Sequence, residues 1–161
     1  MKVKQVVPGQ AIKVLVPKGV ILAFVCHTWP DSAKLICRNL ENEIEIETDY
    51  NDVLLENITG PAAVRTLYGT VDAIFSEHVK GPVFISTVHS AVDVTIPGDM
   101  KADIKLKSSF NTILTSPDFK MEKRTADDVP DYANIANAKL NGGGFYFWLF
   151  STYGKIYLRK K

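Results

Sequence analysis

Apolar and polar residues alternate over short runs, and the runs return at a fixed interval. Each repeat holds two alternating segments separated by a polar or glycine corner, the period-two signal of strands. Before the corner the inward positions are Ile44 and Ile46, Ala62 and Val64, Val83 and Ile85, Ile104 and Leu106, then Phe147 and Leu149. After it they are Val53 and Leu55, Val71 and Ala73, Val92 and Val94, Ile113, then Ile156 and Leu158. The corner pattern around Tyr68 recurs twenty-one residues later at His89 and again at Phe110. Tyr50 lies eighteen residues upstream of Tyr68, and Tyr153 stands two periods and one residue past Phe110. A fixed period of this size in a strand-rich chain is the mark of a solenoid. The pattern predicts an all-β fold, a β-solenoid read as a right-handed β-helix with ~21-residue coils, in one domain over 1–161.

Turn residues agree with the frame. Gly60-Pro61, Gly81-Pro82 and Pro97-Gly98 mark coil boundaries. Gly69 and Gly154 occupy the corner, where a positive φ is expected, with Asn51 and Asn111 as substitutes and Ser90 as the least comfortable fit. A looser first coil runs from Ile12 to Leu40, with Val20, Leu22, Phe24, Leu35 and Cys37 facing inward. From about 116 to 139 the pattern dissolves, which predicts an irregular coil or a capping loop. Asp127 to Asn137 is the strongest helix candidate, but Asp and Pro there favour a loop or a single turn.

Charge narrows the partners. Nineteen basic against eighteen acidic residues give a net charge of +1, without the basic excess that nucleic-acid binding requires. No apolar stretch approaches the ~20 residues of a transmembrane helix. Met1 leads directly into strand-like sequence, so the expectation is a cytoplasmic protein or a mature chain without its leader. Cys26 and Cys37 read either as buried thiols or as a disulfide across one coil; zinc is not expected, because no Cys-x-x-Cys spacing occurs.

Candidate chemistry is sparse. Asn141-Gly142-Gly143-Gly144 leads into a strand rather than a helix, so it reads as a turn and not a phosphate cradle. His27, His78 and His89 form no catalytic motif, and no cofactor is implied. Asp52, Asp72 and Asp93 are expected to align on an outer face as solvated carboxylates or a weak cation or sugar site. Tyr50, Tyr68, His89, Phe110 and Tyr153 are expected to stack as a ring ladder at the corner.

Phe84, Tyr146, Trp148 and Phe150 fall at outward positions and form the candidate binding group. Outward apolar residues mark an interface, a ligand site or a surface covered by another segment. Because Lys105 and Lys107 are expected on the coil between them, Phe84 and Trp148 should meet only through the 116–139 segment or a second molecule. That face should therefore be buried by the loop or by a homo-oligomeric contact.

The stretch Ser86-Thr87-Val88-His89-Ser90-Ala91-Val92-Asp93-Val94-Thr95-Ile96-Pro97, continued by Lys101 to Phe110, resembles the bacterial adhesin family with DUF4097-type repeats. So does the ending, Leu140 to Gly144 followed by Ser151-Thr152-Tyr153-Gly154-Lys155-Ile156-Tyr157-Leu158-Arg159-Lys160. The resemblance implies a β-solenoid exported to the periplasm or cell surface, or secreted, with adhesion inferred and no enzyme activity. A cytoplasmic location stays open. The function expected is a non-enzymatic scaffold that binds a protein or glycan through a repetitive β-face. The rival is a polysaccharide-active β-helix enzyme. The family defines no site residues, and this chain departs from it at His89-Ser90, Phe110-Asn111 and Tyr50-Asn51.

Overall fold

The computed structural model describes residues 10–27, 33–123, 130 and 132–161. Fourteen strands and no helix occur among them, grouped in two sheets. The larger sheet contains β1 (Leu22–Cys26), β3 (Ile44–Thr48), β5 (Ala62–Thr66), β7 (Val83–Thr87), β9 (Ala102–Ser108), β11 (Glu122–Lys123), β12 (Asn134–Leu140) and β13 (Phe145–Ser151). The smaller contains β2 (Leu35–Arg38), β4 (Val53–Ile58), β6 (Val71–Phe75), β8 (Val92–Ile96), β10 (Ile113–Thr115) and β14 (Ile156–Lys160). Successive strands thus alternate between the sheets from β1 to β10, and every pairing is parallel except β9 with β12 and β12 with β11.

The alternation of sequence becomes an alternation of burial. All the inward pairs named above are buried except Ile113, which is partly buried at the end of the smaller sheet. β-Branched side chains dominate these rows because they pack well on a pleated surface. The inner faces of the sheets share one apolar core, and Phe75 meets Phe147 across it edge-on at 5.4 Å. Ile58, Phe75 and Ile96, which end β4, β6 and β8, extend that core beyond the expected rows.

Stacking order departs from sequence order. The larger sheet runs β1-β3-β5-β7-β13-β9-β12-β11 and the smaller β10-β14-β8-β6-β4-β2. The last two-strand unit, β13 with β14, therefore sits between β7–β8 and β9–β10. Phe147 and Leu149 register with Val83 and Ile85 on one side and with Ile104 and Leu106 on the other. The twenty-one-residue interval had placed β9 beside β7, but β13 keeps them two strand spacings apart, about 9.6 Å.

Two short crossings make the insertion possible. Residues 97–101 carry the chain from β8 to β9 past the inserted unit. Residues 141–144 arch over the start of β9, from Leu140 opposite Ala102 on one edge to Phe145 opposite Ala102 on the other. The glycines fit this path: Gly142 and Gly143 have φ of 90° and 85°, and a Cβ on Gly144 would lie 2.2 Å from the Lys101 carbonyl oxygen. Asn141 ties the crossings together by donating to the carbonyls of Gly98 and Met100 at 3.1 and 2.8 Å.

At the opposite end, the buried Asn42 amide donates to the carbonyls of Pro17 and Val20, which anchors the segment before β1. Val20 does not face inward as expected: it is exposed, because the strand begins only at Leu22. Cys26 and Cys37 lie on opposite sheets and are not joined in a disulfide, and burial pushes the Cys37 thiol up to about 11. The helix candidate is not helical where it is described, since its residues 134–137 belong to β12; residues 127–129 and 131 lie outside the described residues.

Candidate binding face

Outside the core, the larger sheet presents a flat face with two registered rows running across its strands. One row reads Ala63, Phe84, Trp148, Lys105 and Asn137; the other reads Arg65, Ser86, Phe150, Lys107 and Ile135. Inserting β13 between β7 and β9 brings Trp148 directly opposite Phe84. Their rings meet edge-on at 5.4 Å and 90°. This corrects the expectation that the two could meet only through the 116–139 segment or a second molecule: the presumed intervening strand, β9, lies on the far side of Trp148.

Charged groups frame the rings. The Arg65 guanidinium lies 5.5 Å from the Phe84 ring centroid, Lys105 Nζ lies 4.9 Å from that of Trp148, and Lys107 Nζ lies 5.7 Å from that of Phe150. A cation over an aromatic face is attracted by the ring quadrupole. Trp148 remains 43% exposed and Tyr146 73%, while Phe84 and Phe150 are partly buried. The expected burial by the loop is not found in the described part of 116–139. There β12 pairs along the free edge of β9 and β11 follows it, which lengthens the sheet instead of covering its face.

The ring ladder forms, in an order the period did not give. Tyr50, Tyr68, His89, Tyr153, Phe110 and Tyr132 stack with centroids 4.8–5.3 Å apart and planes within 14°. Tyr153 enters between His89 and Phe110 with its inserted unit, and Tyr132 extends the end. Beneath the rings runs a row of buried hydroxyls at the last residue of each strand entering the corner: Thr48, Thr66, Thr87, Ser151 and Ser108. Thr87 donates to Ser151 Oγ at 3.0 Å, and the Gly69 and Gly154 amides donate to Thr66 and Ser151 at 2.9 and 2.8 Å. The sequence carried this signal as a Ser or Thr two residues before each ring.

The corner glycines have a different cause from the one expected. Neither Gly69 nor Gly154 has a positive φ. A Cβ there would lie 1.9 Å from the Asn51 carbonyl oxygen or 1.8 Å from that of Ser90. In stacking order the position reads Asn51, Gly69, Ser90, Gly154, Asn111, so side chains alternate with glycines, and Ser90 fits without strain.

The carboxylate row is also shorter than expected. Asp72 registers with Asp93, but Leu54 and not Asp52 lies opposite Asp72. Asp52 instead accepts from the amide and hydroxyl of Thr70, both at 2.8 Å. Burial and the neighbouring Asp93 raise the Asp72 pKa, while Arg159 grips Asp93 through contacts of 2.7–3.0 Å. These groups lie on the smaller sheet and the aromatic face on the larger. Among the described residues no cluster of His, Cys, Asp or Glu is placed to hold a metal ion, and no helix is long and apolar enough to cross a membrane. No family model, curated protein or solved structure matches the chain.

Proposed function

We propose that the stacked two-strand units are the coils of a β-solenoid, and that the protein is a non-enzymatic scaffold acting outside the cytoplasm, at the cell surface, in the periplasm or in secreted form. The observation that carries a binding role is the outward group of Phe84, Tyr146, Trp148 and Phe150, of which Tyr146 and Trp148 are exposed, edged by Arg65, Lys105 and Lys107 on one sheet. Exposed apolar clusters of this kind serve recognition. A sheet buried on its inner side by Val83, Ile85, Phe147 and Leu149 holds them without further ordering cost. The likeness to the DUF4097-type adhesin repeats supports the same reading.

The test is titration of the full chain with glycans and with itself. Tryptophan emission should respond to a bound partner, and Tyr146→Ala, which keeps Trp148 as the reporter, should weaken the response while leaving the β-type circular dichroism unchanged. Concentration-dependent burial of Trp148 with no glycan response would assign the face to self-association. The rival enzyme reading rests on Asp72, whose raised pKa suits a general acid. Depolymerisation of a glycan that stops in Asp72→Asn would favour that reading and end the scaffold proposal.

A further inference from the structure

We infer that the aromatic face takes an acidic saccharide chain, a polymer carrying uronic-acid carboxylates, laid across the strands parallel to the stacking direction. The inference rests on the reading of this face as a binding surface and adds the class of its ligand. Its first support is size. From Arg65 on β5 to Lys105 on β9 the face spans three strand spacings, and from Tyr146 to Phe150 it spans four residues. That footprint is roughly 14 by 13 Å, on the order of 200 Å². A stable protein partner needs about 800 Å² on each side. A few sugar rings fit; a globular interface does not.

The second support is charge placement. The ion pairs among the described residues lie elsewhere: Lys18 and Lys80 with Glu41, Arg38 with Glu56, Arg159 with Asp93, Lys160 with Asp118 and His27 with Asp49. Arg65, Lys105 and Lys107 have no carboxylate partner there and lean over rings instead, which leaves their N–H groups for a ligand. Lys105 and Lys107, two residues apart on β9, flank the aromatic strands on one side and Arg65 on β5 flanks them on the other. Beyond β5 the next strand turns Glu45 and Glu47 outward, with Glu47 opposite Arg65, and on the other side Asp103 lies opposite Tyr146 and Glu122 opposite Asn137, so an anionic chain is confined between them. The chain would therefore set its carboxylates against Lys105 and Lys107 and its apolar ring faces against Tyr146 and Trp148.

The third support is ring geometry. Single-stranded nucleic acid stacks successive bases on open aromatic faces along a continuous basic track. Here Lys105 lies over Trp148 and Phe84 meets it at right angles, and Arg65, Lys105 and Lys107 are each set over a ring and not along a continuous track. The most exposed ring, Tyr146, offers a single face for the C–H face of a sugar, whereas a strand of bases needs several open faces in succession.

The experiment is calorimetric titration of the full chain with polygalacturonate, dextran and oligothymidylate, in low and in physiological salt. Polygalacturonate should bind, and added salt should weaken it through screening. The Lys105→Gln/Lys107→Gln pair, both side chains lying outside the core, should weaken it roughly tenfold or more. Tyr146→Ala should weaken it further. If dextran binds as tightly as polygalacturonate and the double variant changes nothing, the ligand class is wrong although the face still binds. If oligothymidylate binds more tightly, nucleic acid replaces saccharide and the inference falls. If no polymer binds, the reading of the face as a glycan site falls with it.

Discussion

At Gly154 an added Cβ would stand 1.8 Å from the carbonyl oxygen of Ser90, and backbone on a neighbouring strand unit cannot swing aside. Gly154→Ala is therefore expected to cost about 2–4 kcal/mol. Gly142→Ala, which meets no atom within 4 Å but sits at φ 90°, should cost only about 1 kcal/mol. Urea midpoints of the two variants give the comparison, and an unperturbed Gly154→Ala would mean the units are not packed this closely. A second residue-level expectation concerns acid. Lys18 and Lys80, both hydrogen-bonded to Glu41, hold its carboxyl down to about 2 from a usual 4.5. A depressed pKa stabilises the folded state above the unfolded value and loses that contribution as pH falls toward the folded one. The melting-temperature gap between wild type and Glu41→Gln should accordingly be present at pH 6 and narrow between pH 4.5 and 2. A gap that is the same at both ends would remove Glu41 from the acid response.

Among the strands, the inward rows were the most legible part of the chain. Ile44, Val64, Ile85, Val92 and Ile156 all lie where alternation put them, because a side chain on a pleated strand has only two directions to take. Val92 is fully buried on β8, between β6 and β14. Val92→Asp should thus bury a charge with no partner and cost more than about 4 kcal/mol, enough to prevent folding of a marginally stable domain. Soluble, cooperatively melting Val92→Asp protein would refute that placement. What alternation cannot report is which unit lies beside which. Phe147-Leu149 and Ile156-Leu158 present the same inward pattern as every other pair, so they fit any slot. The period locates the strands of each unit and orders the last two units wrongly. The candidate aromatics stand out by their outward positions, whereas the cations beside them do not, because Arg65, Lys105 and Lys107 alternate with apolar residues like any other polar strand position. The corner glycines were found for the wrong reason, since a close approach between units leaves no trace in the spacing of one strand.

For the molecule as a whole, β13 and β14 contribute Phe147, Leu149, Ile156 and Leu158, all buried, to the middle of the stack. A chain ending at residue 139 should therefore lose cooperative unfolding, with β7–β8 and β9–β10 deprived of the strands that join them. Denaturant unfolding followed by circular dichroism checks this, and a sharp transition of undiminished amplitude would contradict the stacking order. A repeat array stacked in sequence can be shortened from its end and keep the remainder intact, since each repeat contacts only its neighbours. Here the strands that come last in sequence among the described residues lie in the middle of the stack. A nascent chain can pair β1 through β8 as they emerge, but β9 must wait at a distance for a strand not yet made. A premature stop would leave a molecule missing its middle, with two apolar rims open to proteases, and not a shorter version of the same protein. The arch at residues 141–144 makes synthesis of β13 and β14 a condition for closing the fold.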